Sequence, residues 1–220
     1  MKIIVLAALA EEADAFLPGA GTPLDCGWPS ARSFSALGHN IIAATTGIGK
    51  VNMSCAAARL QALHGADIFI VTGTAGKIGT LPGDCFFLAR AIQHDYGAER
   101  PGQFVHYPAG AWPIGPAVVE PLAGLPDPGT GLPPALIASG DAFVECPDHA
   151  RFLAEGLSAD IVDMETAALA QFAAHARVPW TGVKATTDEA NHDSAGDFHA
   201  NLCAASKRAA EAVERLVALL

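Results

Sequence analysis

Residues 3–8 read Ile-Ile-Val-Leu-Ala-Ala, an uninterrupted apolar run of strand length. A half-exposed strand alternates apolar and polar side chains, so an unbroken run predicts a strand that is covered on both faces. Runs of the same kind recur along the chain and are bounded by Gly, Pro, Asp or Asn. They are Asn40 to Thr45, Asp67 to Thr72, Cys85 to Ile92, Leu136 to Ser139, Ile161 to Met164 and Trp180 to Thr186.

Helical patterns alternate with these runs. Ala- and Leu-rich stretches with helical spacing cover Asn52 to Leu63, Met164 to Ala176 and about Phe198 to Leu219. The order of strands and helices predicts an α/β fold in which a mixed central sheet is flanked by helices. With 220 residues the chain has room for one substantial core, so we expect a single three-layer domain over residues 1–220.

Residues 101–134 interrupt this pattern. Nine prolines and six glycines in 34 positions exclude a regular helix or a central strand through most of the stretch. A loop of this length in a compact domain is typical of a lid, a binding loop or an interface arm. We therefore expect a Pro/Gly-rich loop or arm at about residues 101–134 that takes part in function.

The composition excludes several classes of protein. Apolar residues make up 51% of the chain and charged residues 16%, which excludes a disordered chain. Thirteen Lys and Arg against 23 Asp and Glu give a net charge of −10, which repels phosphate backbones and anionic lipid headgroups. No apolar run reaches the ~18–20 residues of a membrane span. We expect neither a nucleic acid partner nor a membrane association.

The cysteines and the N-terminus indicate the compartment. Five cysteines are an odd number with no C-x-x-C pair, and none lies near a histidine at zinc spacing, so we expect buried free thiols and no metal. The N-terminal apolar run is short and follows a single Lys, which does not favour a signal peptide. We expect a cytoplasmic protein without a cofactor.

Acidic residues follow several of the predicted strands, and ligands of open α/β sheets bind at such strand ends. Each acid also has a structural interpretation. Glu11 and Glu12 suit the first turn of a helix, where acids complement its dipole, and Asp163 and Glu165 flank a helix start that they could cap. The segment from Gly47 to Lys50 lacks the spacing of a phosphate-binding loop, so it indicates a tight turn.

Taken together, the motifs at the strand ends are far more specific than any one of them. They are Glu12, G-I-G-K-V-N (Gly47 to Asn52), T-G-T-A-G (Thr72 to Gly76), S-G-D-A-F (Ser139 to Phe143), V-D-M-E (Val162 to Glu165) and T-T-D (Thr186 to Asp188). In this order and spacing the chain resembles the 5′-methylthioadenosine/S-adenosylhomocysteine nucleosidases of the purine and uridine phosphorylase superfamily. The resemblance runs from Met1 to the C-terminal helix. It implies a nucleoside phosphorylase-like fold, a homodimer and a small-molecule purine nucleoside as substrate.

The resemblance implies two catalytic carboxyl groups. Adenine leaves readily only when its N7 is protonated, and Asp188 stands where the family has the acid that delivers this proton. The ribosyl group becomes oxocarbenium-like, and Glu12 takes the place of the carboxylate that orients a water molecule beneath C1′. Glu11 is its nearest competitor. Thr74 stands where a hydroxyl lies near the nucleophile, so it would help to hold that water.

The remaining implied site residues bind the substrate. Glu165 would accept hydrogen bonds from the ribose hydroxyls, and Met164 would pack on the sugar. Phe143 would stack on adenine, and the backbone of Val144 would read the edge of the base. Phe198, ahead of the last predicted helix, would be a mobile wall of the pocket for the 5′ substituent.

Water rather than phosphate is the expected nucleophile, because phosphorylases of the superfamily bring arginines to phosphate and residues 9–12 contain two acids and no arginine. The expected reaction is hydrolysis of 5′-substituted adenosines with release of adenine. The alternatives are another purine nucleoside hydrolase, such as a futalosine hydrolase, a phosphorylase, or a nucleoside-binding protein without activity. An acid at position 188 favours a 6-aminopurine.

The chain departs from the family pattern at several places, among them Thr187 for the usual serine and Lys77-Ile78 for the common Gly-Leu; two departures bear more directly on function. Lys184 stands where the family has arginine in its R-A-x-S-D run, and a point charge does not reproduce a planar fork. The arm at about residues 101–134 differs in composition from the family region that forms the dimer interface and closes over the partner's 5′ pocket. The resemblance therefore does not give the identity of the 5′ substituent.

Overall fold

Twelve strands and five helices make up the chain, and a computed structural model describes all of residues 1–220. The strands are β1 (Lys2–Ala7), β2 (Thr22–Leu24), β3 (Ser30–Ala36), β4 (His39–Thr45), β5 (Ile68–Lys77), β6 (Cys85–Gln93), β7 (Gly97–Arg100), β8 (Gln103–His106), β9 (Leu122–Ala123), β10 (Pro134–Ser139), β11 (Ile161–Asp163) and β12 (Trp180–Asp188). The helices are α1 (Ala10–Ala15), α2 (Lys50–His64), α3 (Pro147–Leu157), α4 (Thr166–Ala176) and α5 (Ser194–Ala218).

Ten of the strands form one mixed sheet in the order β11-β10-β6-β12-β5-β1-β4-β3-β2, with β9 paired to β6. β1 runs parallel to β4 and β5, and β12 runs parallel to β5 but antiparallel to β6. The remaining two strands, β7 and β8, form a separate hairpin. The predicted α/β fold with a mixed central sheet and flanking helices is confirmed.

The side chains of β1 show why its sequence is apolar throughout. Ile4 and Leu6 pack into a cluster with residues of α2 and α4, whereas Ile3 and Val5 pack on the opposite face into a cluster with residues of α5. Each of these four side chains is at most 2% exposed. Burial of one such side chain stabilises the fold by ~1.5–3 kcal/mol, so the alternating contacts of a single strand tie all three layers together.

One half of the sheet closes on itself. β11 is parallel to β10 on one side and pairs antiparallel with the end of β5 on the other, where Ile161 lies opposite Lys77 and Val162 lies opposite Gly76. The strands β11, β10, β6, β12 and β5 therefore form a closed ring. This closure brings the residues that follow β11 to the same edge as the ends of β5 and β12.

All seven predicted strands are present, but several boundaries differ. β5 continues to Lys77, so the T-G-T-A-G motif lies inside a strand because β12 pairs with it as far as Gly76. α4 begins at Thr166 rather than at Met164, because the Asp163 carboxylate accepts the backbone N–H of Thr166. α5 begins at Ser194, which places Phe198 inside the helix rather than ahead of it. The sequence indicated α1 only through the two acids that suit a first helical turn. It did not predict α3 or the strands β2, β3, β7, β8 and β9.

The Pro/Gly-rich stretch is mostly loop. Within residues 101–134, only residues 103–106, residues 122–123 and the first residue of β10 are in strands.

No helix of the structure combines the length and the apolar character that crossing a membrane requires.

The expectation of buried cysteines is wrong for most of them. All five are free thiols, but Cys26 alone is buried and Cys85 is partly exposed. The three exposed cysteines lie on the helices or at a helix start, where they face solvent: Cys55, Cys146 and Cys203.

Candidate active site

A cavity of about 410 Å³ opens where the ends of β1, β5, β11 and β12 meet. Seventeen residues line it, and none of them is a lysine or an arginine. Seven of the eight predicted site residues are among them: Glu12, Thr74, Phe143, Met164, Glu165, Asp188 and Phe198. The eighth, Val144, lines an adjoining recess of about 30 Å³ together with Phe143 and Asp188. The structure thus brings together residues that the sequence spreads over nearly 190 positions.

Glu12 lies in the first turn of α1 with only 2% of its surface exposed. Its Oε2 accepts the backbone N–H groups of Ala8 and Leu9, each at 3.0 Å. Its Oε1 accepts both the backbone N–H and the hydroxyl of Thr74, each at 2.8 Å. One oxygen of Glu12 thus caps the start of α1, where the sequence placed it as a first-turn acid, while the other joins α1 to β5 at the cavity wall. Glu11 is exposed and does not line the cavity.

Asp188 is the last residue of β12 and is 6% exposed. The Thr187 hydroxyl donates to its Oδ2 at 2.8 Å, and the backbone N–H of Ala190 donates to its Oδ1 at 3.0 Å. These two bonds fix the orientation of the carboxyl group at the junction between the main cavity and the recess beside Val144.

A third buried acid, Glu165, lies between β11 and α4. Its Oε1 accepts the backbone N–H of Gly49 at 2.8 Å. Burial raises the pKa of Glu165 to about 7, although the nearby Lys184 ammonium acts to lower that pKa; the neighbouring Asp163 raises it further. Glu165 therefore titrates near neutral pH.

Asp163 holds the start of α4 and a buried cation. The hydroxyls of Ser139 and Thr166 each donate to its carboxylate at 2.5 Å, and the backbone N–H of Thr166 donates as well. The Nζ atom of Lys184 lies 3.2 Å from Asp163 Oδ2 and 3.8 Å from Glu165 Oε2. Asp163 thus fulfils the capping role that the sequence left open.

Two aromatic rings form an apolar wall of the cavity. Phe143, which is 46% exposed, meets Phe198 edge to face with ring centroids 6.0 Å apart. The imidazole of His199 also packs edge to face with Phe198, with ring centroids 5.8 Å apart. The structure contains no group of three or more His, Cys, Asp or Glu side chains arranged to hold a metal ion.

Comparison with known proteins identifies the relatives of this chain. The family model of the phosphorylase superfamily matches residues 2–218. A curated 5′-methylthioadenosine/S-adenosylhomocysteine nucleosidase of Mycobacterium bovis is 30% identical over 211 residues, which cover 83% of this chain and 82% of that protein. The chain belongs to this nucleosidase family of the phosphorylase superfamily.

Solved structures agree with this family assignment. The nucleosidase of Neisseria meningitidis in complex with methylthio-immucillin-A superimposes with a TM-score of 0.84 at 25% identity, over 100% of this chain and 99% of that one. A futalosine hydrolase mutant of Helicobacter pylori superimposes with a TM-score of 0.86 at 22% identity, over 100% of both chains. At this lower identity the second likeness shows a shared fold alone.

The structure adds cavity residues that the sequence analysis of this family member missed. Leu9, Ile48, Ala195 and His199 line the cavity. Leu9 is near Glu12 in sequence, Ile48 lies in the G-I-G-K motif, and His199 follows Phe198. Ala195 lies three residues before Phe198. Proximity in sequence to a predicted site residue or motif was therefore the only feature that could have identified these four residues.

The G-I-G-K segment forms a tight turn, as the sequence indicates. Gly49 adopts a φ of +98° and precedes α2, and its N–H is committed to Glu165. The Lys50 ammonium pairs with Asp95 at 2.6 Å and lies 3.7 Å from Asp141. The N–H and the ammonium that a phosphate would require are thus bound to protein carboxylates.

Gly73 leaves room for the Glu12 carboxylate. A Cβ atom at this position would lie 2.5 Å from Glu12 Oε1, and the φ of +134° disfavours any side chain. We expect Gly73→Ala to displace Glu12, to lower kcat by roughly ten-fold or more and to destabilise the fold by roughly 1–3 kcal/mol. Steady-state kinetics and denaturant unfolding measure both effects.

The matched control is Gly156→Ala in α3, where an added Cβ meets nothing within 4 Å. This variant should keep the wild-type kcat, and its stability should not fall, because alanine is favoured over glycine in a helix. Wild-type kcat and stability in Gly73→Ala would show that the carboxylate does not need this position.

Proposed function

We propose that the chain hydrolyses the N-glycosidic bond of 5′-substituted adenosines of the methylthioadenosine and S-adenosylhomocysteine type and releases adenine. The observation that carries this proposal is the placement of Glu12, Glu165 and Asp188 in the wall of one cavity. All three are buried, and each is held by hydrogen bonds from a different part of the chain. N-glycosidic cleavage needs separate groups for the base, the sugar and the water, and the three acids supply them.

Asp188 is the proposed proton donor to adenine N7. The part of the main cavity beside Asp188 is bordered by Phe143 and adjoins the recess that Val144 lines, so a flat base there would lie against an aromatic ring and near a backbone edge. The two hydrogen bonds to Asp188 fix its carboxyl group while a proton leaves it. A protonated base is a much better leaving group, so this transfer accelerates loss of adenine.

Glu12 is the proposed acceptor for the attacking water. A carboxylate offers about four acceptor positions, and four donors occupy those of Glu12. Three of these donors are backbone N–H groups with fixed directions, whereas the hydroxyl hydrogen of Thr74 can rotate about the Cβ–Oγ1 bond. We therefore propose that the Thr74 hydroxyl turns its hydrogen away from Glu12 when water binds, which frees a position on Glu12 Oε1 that accepts a hydrogen bond from that water.

The sugar and the 5′ group have their own proposed contacts. Glu165 accepts hydrogen bonds from the ribose hydroxyls, and Met164 beside it packs on the sugar. The apolar side chains of Leu9, Ile48 and Phe198 form the part of the cavity that suits a thioether substituent. The negative charge of Glu12 and Glu165 stabilises the positive charge that develops on the ribosyl group.

The charges around the cavity favour water over phosphate. A phosphorylase needs cationic side chains that clamp its anionic substrate, and no lysine or arginine lines this cavity. Buried carboxylates would instead repel phosphate. The same acids do not oppose a neutral water molecule.

We also propose that the protein is a cytoplasmic homodimer of single-domain subunits. Support for a dimer comes from the arm, on which Trp112 is 82% exposed and Ile114 is 72% exposed. Large apolar side chains that stand free on one segment are typical of a protein interface. The high negative charge and the free thiols agree with a cytoplasmic location.

The decisive experiment measures base release in phosphate-free buffer and again with added phosphate. Methylthioadenosine, S-adenosylhomocysteine, inosine and futalosine serve as substrates. We expect adenine release from the first two without phosphate, and no acceleration by phosphate. Release that depends on phosphate would contradict hydrolysis, turnover of futalosine alone would favour the alternative hydrolase, and binding without turnover would identify a non-catalytic protein.

A further inference from the structure

Lys184 is a buried cation directly behind the cavity wall. It lies in the middle of β12, beside Gly73 of β5, and is 1% exposed. Its Nζ atom contacts Asp163 at 3.2 Å and Glu165 at 3.8 Å. It does not line the cavity, so it acts on a substrate only through other residues.

The groups that face Glu165 come from four parts of the chain. Asp163 at the end of β11 and Glu12 on α1 are acidic, Gly49 ahead of α2 donates its N–H, and Lys184 on β12 is the only cation. Three carboxyl groups in a buried cluster with one ammonium cannot all be ionised without cost. Without the Lys184 ammonium, no side-chain cation would compensate the negative charge of these carboxyl groups.

Asp163 fixes the position of this ammonium. The hydroxyls of Ser139 and Thr166 and two backbone N–H groups hold the Asp163 carboxylate at the start of α4. A carboxylate held in this way places Lys184 Nζ within reach of Glu165. No ion pair joins Lys184 to Glu12, so Glu165 is the nearer of these two carboxyl groups to the ammonium.

We propose that Lys184 is a positioning residue whose buried ammonium, held by Asp163, keeps Glu165 as the carboxylate that accepts the ribose hydroxyls. The proposal rests on the proposed function, because it assigns the ribose to Glu165. It also gives a role to the lysine that replaces the arginine of the family pattern. The cation here supports sugar binding rather than direct contact with the water.

The expected direction of the pH effect follows from the charges. Burial raises the pKa of Glu165 to about 7, and Lys184 is the largest influence that lowers it. A protonated Glu165 loses acceptor capacity, so sugar binding weakens as the pH falls through this pKa. Without Lys184 the pKa of Glu165 would be higher, and the same loss would occur at a higher pH.

The test is the pH profile of kcat and KM for methylthioadenosine in Lys184→Met, Lys184→Arg and Glu165→Gln. In Lys184→Met, the acidic limb of kcat/KM should move up by at least about one pH unit. We therefore expect kcat/KM at pH 7 to fall by roughly five-fold or more, mainly through KM, and to recover at higher pH. Lys184→Arg should return the acidic limb of kcat/KM to its wild-type pH. Glu165→Gln should show no such limb, because its amide does not titrate.

The control is Lys207→Met on α5, a lysine whose side chain is 75% exposed. It should leave the profile unchanged. Two results for Lys184→Met would overturn the proposal: an acidic limb of kcat/KM at the same pH as in the wild type, or a loss of kcat/KM that has the same size at every pH. A lysine with a merely structural role gives one of these results. If Lys184→Met does not fold, Lys184→Met/Asp163→Asn also removes the carboxylate that would be left unpaired. The acidic limb should still move up, but by less, because the charge of Asp163 itself raises the pKa of Glu165 and is a weaker influence than Lys184.

Failure of the proposed function is distinguishable from failure of this inference. If the wild-type protein releases no adenine, the affinity for methylthioadenosine is measured by calorimetry over the same pH range and in the same variants. The affinity of Lys184→Met should then fall at neutral pH and recover at higher pH. An affinity profile that matches that of the wild type would overturn the role of Lys184.

Discussion

Replacing Asp188 by asparagine is expected to slow adenine release from methylthioadenosine by about 10²–10⁴-fold, the usual contribution of a positioned proton donor. The amide cannot deliver a proton to N7, yet its size and shape match those of the carboxyl group. Its oxygen can accept the N–H of Ala190, and its NH₂ group can donate to the Thr187 hydroxyl, so both present contacts have a replacement. The substitution therefore removes the proton and preserves the site.

The measurement compares single-turnover rates with calorimetric affinity. Asp188→Asn should bind methylthioadenosine with an affinity close to that of the wild type, so the loss should be confined to the chemical step. Glu189→Gln, at the exposed neighbouring position, is the matched control and should retain full activity. A rate for Asp188→Asn within a factor of a few of the wild type would assign the proton to another group.

Replacing Glu12 by glutamine is expected to lower kcat by on the order of 10³-fold or more, because both the orientation of the water and the compensation of the ribosyl charge are lost. Glutamine also presents an NH₂ group where Glu12 accepts from four donors. At least one backbone N–H then lacks an acceptor, and we expect a loss of stability of about 1–3 kcal/mol.

Kinetics, calorimetry and denaturant unfolding separate these effects. Nucleoside binding should remain largely intact in Glu12→Gln, because Glu12 serves the water rather than the base. Glu11→Gln is the control of identical chemistry one residue away, and it should change neither rate nor stability because Glu11 is exposed. A folded Glu12→Gln variant with wild-type turnover would limit Glu12 to its capping role.

The sequence was informative wherever the local pattern reflects the final environment. The unbroken apolar run of β1 predicted a strand covered on both faces, since its alternate side chains had to meet two apolar layers. The same reasoning located the strand ends and, with them, the acids that line the cavity. The family resemblance then provided specific expectations for Glu12 and Asp188.

Sequence patterns were less informative about element boundaries and about residues without chemistry of their own. Thr74 was expected after a strand but lies within β5, because pairing with β12 extends that strand past a Gly- and Thr-rich segment. Leu9 and Ile48 are ordinary apolar residues whose place in the cavity depends on distant elements. Lys184 was a conspicuous departure from the family pattern, but its ion pairs could not be read from the sequence.

The sequence by itself determined the α/β class, seven of the twelve strands and the identity of the acids near the ends of those strands, because hydrophobic periodicity is a local property. Only the tertiary structure decided which of these acids work together. The antiparallel pairing of β11 with β5 closes the sheet and carries Asp163 and Glu165 to Lys184 and towards Glu12. Contacts between residues more than a hundred positions apart depend on sheet closure and packing, which no local pattern encodes.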